Sequence, residues 1–329
     1  MKNKQKIKCI GILTSGGDAP GMNAAVRSSV RCAVYNGLKV KGILRGYEGL
    51  INDEIVDMDA RSVSNILSRG GTVIKTARSS EFMTKKGRKK AYDTVKRHNI
   101  DGLIIIGGNG SFQGAHIFWK EFKVPNIGVP ATIDNDISGS DYTIGAHTAV
   151  NTALDAIDKI RDTVTSMERI YVVEVMGRQD PFIATRVGLA GGAEEVVFPY
   201  SSYSPKRICS EIVNGRKKGK VSWIIIVSEG SAKAGDVASM IAKKTSFSVR
   251  PLVLGHIQRG GSPEAFDRIL ASILGARSVD ALVAGKTDAM VGLVSQDIKI
   301  TPYARAIKKD MAKIRADKTL YRLTKILAK

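Results

Sequence analysis

The sequence predicts an α/β protein built on mainly parallel sheets, and three observations carry that expectation. Apolar runs of the kind buried on both faces recur along the chain: Cys9-Ile10-Gly11-Ile12-Leu13, Gly102-Leu103-Ile104-Ile105-Ile106, Tyr171-Val172-Val173-Glu174-Val175 and Ser222-Trp223-Ile224-Ile225-Ile226-Val227. Segments with helical spacing alternate with them: Asn23 to Tyr35, Lys86 to Arg97, His147 to Thr163, Pro205 to Lys217 and Pro263 to Ala284. Glycines follow the strands and not the helices, as at Gly16-Gly17, Gly107-Gly108, Gly110 and Gly177. Open α/β sheets bind ligands beyond the carboxyl ends of their strands, so these loops are expected to line one crevice.

The 329 residues are 43% hydrophobic and 25% charged, a globular composition long enough for two domains with cores of their own. No stretch approaches the roughly 20 apolar residues of a membrane span. The start, Met1-Lys2-Asn3-Lys4-Gln5-Lys6, leads into an apolar run too short for a signal peptide, and a cytoplasmic location is expected. Cys9, Cys32 and Cys209 are widely separated, with no CxxC pair and no nearby histidine that would suggest zinc, and read as reduced thiols. A formal charge of +20 suggests attraction for anions, but its lysines, among them Lys85-Lys86, Lys89-Lys90, Lys308-Lys309 and Lys325, are assigned to helix faces. With aromatics at only 6%, stacking platforms for nucleic acid are few, so neither nucleic acid nor membrane is expected as a partner.

Thr14-Ser15-Gly16-Gly17-Asp18-Ala19-Pro20-Gly21-Met22-Asn23 joins a strand to a helix; alone it fits either a tight turn or a loop whose N–H groups receive phosphate. Gly107-Gly108-Asn109-Gly110-Ser111 repeats the arrangement after another strand, with Ser111 in position to cap the next helix. After the strand-like Asn126-Ile127-Gly128-Val129 comes Pro130-Ala131-Thr132-Ile133-Asp134-Asn135-Asp136. Carboxylates at i and i+2 repel unless a cation or a hydroxyl proton lies between them, which suits metal support plus general-base work; the alternative is a polar turn whose aspartates cap helices. Arg161, Arg169, Arg178, Arg250 and Arg259 fall near element ends, and arginine forks match phosphate bidentately. His256 lies in a glycine-bracketed segment with Arg259 and is either structural or a ligand contact, whereas His98, His116 and His147 read as structural.

Taken in order, TSGGDAPGMNAAVR, SRGGT, GGNGS, PATIDNDI, VVEVMGR, EEVVFP and VLGHIQRGGSP resemble the bacterial ATP-dependent 6-phosphofructokinase family from about Cys9 to Val294. The resemblance implies a homotetramer of subunits with two similar three-layer α/β/α domains and an active site in the cleft between them. Residues 1–144 with 258–308 would form the nucleotide domain, and 145–257 with 309–329 the sugar-phosphate domain. The activity implied is ATP- and Mg²⁺-dependent phosphorylation of fructose 6-phosphate at its 1-hydroxyl, the committed step of glycolysis. By motif position Asp134 is the base, Thr132 and Arg178 are transition-state contacts, and Asn109 and Asp136 lie at the metal. Gly17, Tyr47, Arg78, Gly110, Ser111 and Gly114 match the nucleotide side. Thr132, Asp134, Arg169, Met176, Gly177, Arg178, Glu229, Arg250, His256 and Arg259 match the sugar-phosphate side, with Arg169 and Arg250 supplied by a neighbouring subunit. Arg27, Arg31, Arg161, Glu194, Lys218 and Lys220 match an effector site for ADP or phosphoenolpyruvate.

The chain departs from the family pattern at several points. Asn109 stands where the glycine loop has a metal-site aspartate, which implies weaker Mg²⁺ binding or slower turnover. Ala60 and Val221 replace basic effector residues, Ser79 and Met83 replace an aromatic and an arginine near the adenine, and Gln179-Asp180-Pro181 alters the loop after Arg178, with Pro181 suited to a first helical turn. Gly110 and Ala131 stand where pyrophosphate-using relatives carry aspartate and lysine, which favours ATP as donor. The alternatives are a catalytically weakened ligand-binding homologue, suggested by Asn109, and a pyrophosphate-dependent enzyme.

Overall fold

The buried runs form strands and the spaced segments form helices in a computed structural model that describes residues 7–201 and 203–328. Residues 1–6, which carry the start considered above, lie outside the described set. The chain divides into two compact units, Met1–His147 with Arg259–Lys309, and Thr148–Gln258 with Asp310–Lys329, so it changes unit three times.

In the first unit the strands are β1 (Cys9–Ser15), β2 (Lys39–Ile43), β3 (Ile55–Met58), β4 (Gly102–Gly107) and β5 (Asn126–Pro130), joined late in the chain by β10 (Ala289–Val294) and β11 (Asp297–Pro302). They make one sheet in the order β11-β10-β5-β4-β1-β2-β3. Its centre is parallel, and β3 and β11 close the edges antiparallel. Every residue of β1, β4 and β5 is buried, as expected of strands covered on both faces. The helices are α1 (Met22–Tyr35), α2 (Gly46–Ile51), α3 (Lys85–Arg97), α4 (Asn109–Phe122), α9 (Ala265–Val283) and α10 (Tyr303–Ala306), with the first residues of α5 (Ala146–Met167). Leu13, Leu103, Ile105, Phe112, Phe118, Met290 and Tyr303 fill one continuous core.

The second unit carries β6 (Ile170–Val175), β7 (Glu195–Val197), β8 (Trp223–Ser228) and β9 (Val249–Val253), all parallel, in the order β7-β8-β6-β9. Around them lie the rest of α5, α6 (Phe182–Ala190), α7 (Pro205–Lys217), α8 (Ala234–Thr245) and α11 (Met311–Leu327). The start of α7 follows from its sequence: the Ser204 hydroxyl accepts from the Arg207 N–H, and Pro205 occupies the first turn, where it sacrifices no hydrogen bond. Asp310 caps α11 through the Ala312 and Lys313 N–H groups.

The elements expected from periodicity are all present, with helix ends displaced by up to four residues: α5 continues past Thr163 to Met167, and α9 begins at Ala265. Arg161 consequently lies inside α5, not at its end. Lys308-Lys309 sit in the turn before α11 and not on a helix face. Lys325 is mostly buried, paired with Glu195 and Glu211, because α11 lies over β7 and the charge must find partners there. The four lysines at the start of α3 behave as solvated charge: Lys85-Lys86 and Lys89-Lys90 are exposed, with Lys90 reaching Glu81 at 2.8 Å. The cysteines are free thiols. Among the described residues no helix is long and apolar enough to cross a membrane.

Glu195 anchors α11. Its buried carboxylate takes Arg207 at 3.0 Å, Lys325 at 3.1 Å and the Tyr321 hydroxyl at 2.8 Å. Burial, and next the Glu195 charge, push the Tyr321 phenol from its ordinary value near 10 up to about 12. A raised phenol pKa stabilises the fold fully below pH 10, and that contribution is lost as pH rises toward about 12. Tyr321→Phe is therefore expected to flatten the fall in unfolding free energy across that window, measured by urea melts at successive pH values.

Candidate active site

Backbone register sets the site in the first unit. Ser15 pairs with Gly107 across β1 and β4, and Gly107 pairs with Pro130 across β4 and β5. The loops leaving these three strands, with Gly16-Gly17, Gly108-Asn109-Gly110 and Thr132 to Asp136, therefore begin side by side at one sheet edge. Here the first unit brings together Gly17, Asn109, Gly110, Ser111, Thr132, Asp134 and Asp136.

Close packing explains part of the glycine pattern. A Cβ on Gly107 would lie 2.5 Å from the Ser15 carbonyl oxygen and 2.6 Å from Ser111 Oγ, whereas a Cβ on Gly110 would meet nothing within 4 Å. Internal packing thus demands Gly107 but leaves open space at Gly110, where a ligand can approach the backbone. Ser111 corrects one expectation. It lies inside α4, and its hydroxyl donates to the Ser15 carbonyl at 3.0 Å, tying the two glycine loops together; Gly108 takes the cap position without a side-chain cap. Tyr47 is a support and not a surface contact. It is 6% exposed, stacks on Phe82 at 3.9 Å, lies against Gly114, and donates its hydroxyl to the Ser111 carbonyl at 2.6 Å. Burial raises its phenol pKa far above the ordinary value.

The carboxylate loop is shaped by Asn135, which motif reading passed over. It adopts a left-handed conformation (φ 52°), which asparagine tolerates better than most residues. Its side chain accepts from the Thr143 N–H at 2.8 Å and donates to the Asp141 carbonyl at 3.0 Å. The Thr143 hydroxyl in turn donates to the Thr132 carbonyl at 2.6 Å, and Thr132 Oγ1 accepts from the Asp134 N–H at 3.2 Å. Asp134 is 6% exposed on this rigid loop. Neither aspartate caps a helix, because no helix follows the loop before α5. Asn109 Nδ2 donates to the Asp136 carboxylate at 2.8 Å and to its backbone carbonyl at 3.2 Å.

Arg259 also belongs to the first unit. Its guanidinium donates to the Asp18 carbonyl at 3.0 Å and lies where a Cβ on Gly17 would sit, so in this structure it rests on the first glycine loop. The neighbouring SRGGT segment is fixed by Asn23, which donates to the Arg69 and Gly70 carbonyls and accepts from the Val73 N–H. Arg78 beyond it is exposed. On α1, Arg27 and Arg31 stand one turn apart, with Arg31 reaching the Ala60 carbonyl at 3.4 Å.

In the second unit Met176, Gly177 and Arg178 follow β6, and Glu229 follows β8. Glu229 accepts from the Arg178 N–H at 3.2 Å, and a Cβ on Gly230 would overlap the Arg178 carbonyl oxygen at 1.4 Å. Arg178 itself is left-handed (φ 47°), a strained choice for a long side chain. Gln258, fully buried, accepts from the Met176 N–H at 3.3 Å and donates to the Gly255 carbonyl at 3.0 Å, so it holds the exposed His256 turn against this loop. Gly230 and Gln258 were missed because their partners, Arg178 and Met176, are distant in sequence, and Asn135 because no motif marks a side chain that folds back on Asp141 and Thr143. Arg169 and Arg250 are not gathered here: Arg169 precedes β6 and Arg250 pairs with Tyr171, at the opposite end of the strand from Met176.

Of the remaining effector matches, Arg161 donates to the Gly192 carbonyl at 2.9 Å. Glu194 pairs with Lys220 at 2.9 Å and, with Lys218, lines a cavity of about 510 Å³ that also includes Trp223 and Lys325. The other histidines are structural: His98 meets Asp53, His116 Nδ1 meets Asp288 at 2.7 Å, and His147 packs on Phe266.

A parallel sheet that releases two glycine loops and a carboxylate loop from the same end of its strands is the framework of a phosphoryl-transfer enzyme, and the second unit by itself carries an arginine-bearing loop after β6. The chain belongs to the phosphofructokinase family, whose model, described as Phosphofructokinase, matches residues 9–282. It is 50% identical over 323 residues to the ATP-dependent 6-phosphofructokinase of Thermoanaerobacter sp. (strain X514), covering 98% of this chain and 100% of that one. It is 52% identical over 307 residues to ATP-dependent 6-phosphofructokinase 2 of Bacteroides thetaiotaomicron, covering 92% and 94%. Among solved structures it resembles phosphofructokinase from Saccharomyces cerevisiae, with TM-score 0.85 and 32% identity over 98% of this chain, which spans 48% of the yeast chain.

Asn135→Ala is expected to lower the unfolding free energy by about 2–4 kcal/mol, since it orphans a buried N–H and leaves alanine in a left-handed conformation. Urea denaturation with an unchanged m value would register this as a shift in midpoint.

Proposed function

We propose that this kinase transfers the γ-phosphoryl group of ATP to the 1-hydroxyl of fructose 6-phosphate, giving fructose 1,6-bisphosphate and ADP in glycolysis. The observation that carries the reading is the buried, hydrogen-bonded loop that fixes Asp134 beside two phosphate-type glycine loops. In this reading Asp134 accepts the proton of the sugar hydroxyl, and Thr132 and Arg178 stabilise charge on the transferred group. The backbone at Gly17, Gly110 and Ser111 receives the nucleotide phosphates, with Arg78 near the nucleotide and Tyr47 and Gly114 shaping the floor. Met176, Gly177, Arg178, Glu229, His256 and Arg259 serve the sugar phosphate. Arg169 and Arg250, at the other strand end, serve a neighbouring copy in a homotetramer.

Mg²⁺ fits the donor set. Asn109 Oδ1 and Asp136 Oδ1 are buried oxygens without a hydrogen-bond partner, which suits a hard cation. Among the described residues no group of three or more His, Cys, Asp or Glu is placed to hold a metal, so phosphate oxygens and water would complete the shell. When bound, the ion would neutralise charge on the β- and γ-phosphates. Arg27, Arg31, Arg161, Glu194, Lys218 and Lys220 are assigned to an anionic effector such as ADP or phosphoenolpyruvate, and a cytoplasmic location accompanies the glycolytic role. A second reading, a binding protein with reduced turnover, is favoured only by the amide at Asn109.

A coupled assay of ADP release tests both readings: fructose 6-phosphate-dependent turnover is expected, and its absence with ligand binding retained would leave the second. Asp134→Asn is expected to lower kcat by on the order of 10²–10⁴-fold with the far-UV circular dichroism unchanged. Chelation of Mg²⁺ is expected to abolish turnover. The open Gly110 accommodates a nucleotide's inner phosphates, so pyrophosphate is not expected to replace ATP as donor; turnover with pyrophosphate alone would refute the assignment.

A further inference from the structure

The Asn109–Asp136 contact sets a neutral amide donor against a carboxylate. Asn109 is the first residue of α4, one past the cap position that Gly108 holds. Both of its side-chain hydrogen bonds go to Asp136, one to the carboxylate at 2.8 Å and one to the backbone carbonyl at 3.2 Å. The amide thus fixes the carboxylate and the end of the loop that carries it.

Asp136 sits in a place where a charge needs a partner. Among the described residues its carboxylate takes a side-chain hydrogen bond from Asn109 on Oδ2, and its Oδ1 is buried without a hydrogen-bond donor. What stabilises the anion is the Asn109 N–H and the N-terminal end of α4 that Asn109 opens, where the helix dipole favours negative charge. An acid at position 109 would reverse this. Two carboxylates at hydrogen-bonding distance, both partly shielded from water, would require a proton or a cation between them.

We propose that Asn109 is a positioning residue that holds Asp136 in its working place before any metal arrives, so that the loop is built without a divalent ion and the ion enters with the nucleotide phosphates. This rests on the reading that Asp136 supports the ion of Mg-ATP. The two remaining acceptor atoms, Asn109 Oδ1 and Asp136 Oδ1, stay available to that ion, while the amide N–H maintains the spacing between their parent groups. In this division donor and acceptor complement one another in place of two like charges.

The test uses the full chain with no nucleotide or sugar, so its outcome is independent of whether the kinase assay succeeds. Melting temperatures are measured in EDTA and in millimolar Mg²⁺ for the native protein, for Asn109→Asp, and for the exchanged double variant Asn109→Asp/Asp136→Asn. The native protein is expected to melt at the same temperature in both buffers. Asn109→Asp is expected to melt roughly 5 °C lower in EDTA and to regain that loss in Mg²⁺. The exchanged pair restores one donor facing one carboxylate and is expected to return to the native temperature in EDTA. A native Tm that rises with Mg²⁺ alone as much as the variant's would overturn the proposal, as would an Asn109→Asp protein that melts like the native one in EDTA. Should Asn109→Asp fail to fold in EDTA, the exchanged variant decides: folding near the native temperature supports the proposal, and failure overturns it.

Discussion

The active-site architecture depends on the register of three buried parallel strands. β1, β4 and β5 are covered on both faces, so their polar loops can leave only at the ends, and pairing of Ser15 with Gly107 and of Gly107 with Pro130 brings those ends to one level. A slip of one residue would turn the buried side chains of a strand to the opposite face and displace its loop as well. The apolar packing that stabilises the first unit is therefore the same constraint that aligns its glycine and carboxylate loops.

On that frame, short polar ties give the loops their shapes. Ser111 links the first and second loops through the Ser15 carbonyl, Tyr47 braces Ser111 from the core, and Asn135 folds the third loop around Thr143. These bonds are buried and their donors and acceptors are matched, so each resists exchange with water. Such rigidity suits phosphoryl transfer, where alignment and fixed charge contribute more than covalent chemistry by the protein. The second unit follows the same plan with different parts: Glu229 and Gln258 hold the Met176–Arg178 loop, and Glu195 secures the helix that closes the chain.

Much of this was legible in the chain itself. Runs such as Leu103-Ile104-Ile105-Ile106 allow few folds other than a buried parallel strand, and glycines placed directly after them mark the loops at the strand ends. Asp134 and Asp136 could be singled out because paired carboxylates on a loop need a proton or cation to explain them. The cap assigned to Ser111 failed because periodicity cannot tell the residue before a helix from one in its first turn. The arginines likewise looked equivalent in sequence, yet Arg259 lies on the first glycine loop and Arg169 lies at the far end of β6 from Arg178.

Sequence alone determined the α/β class, the order of buried strands and spaced helices, and the family, because hydrophobic periodicity and local motifs are properties of neighbouring residues. Only the tertiary structure decided that Asn135 shapes the carboxylate loop, that Gly107 is required by packing while Gly110 faces open space, and that Asn109 donates to Asp136. These depend on groups that the fold brings together from separate parts of the chain, as with Asn109 and Asp136, 27 residues apart, and Gly107 and Ser15, which lie on different strands. No local pattern encodes such contacts; the register of the sheet creates them.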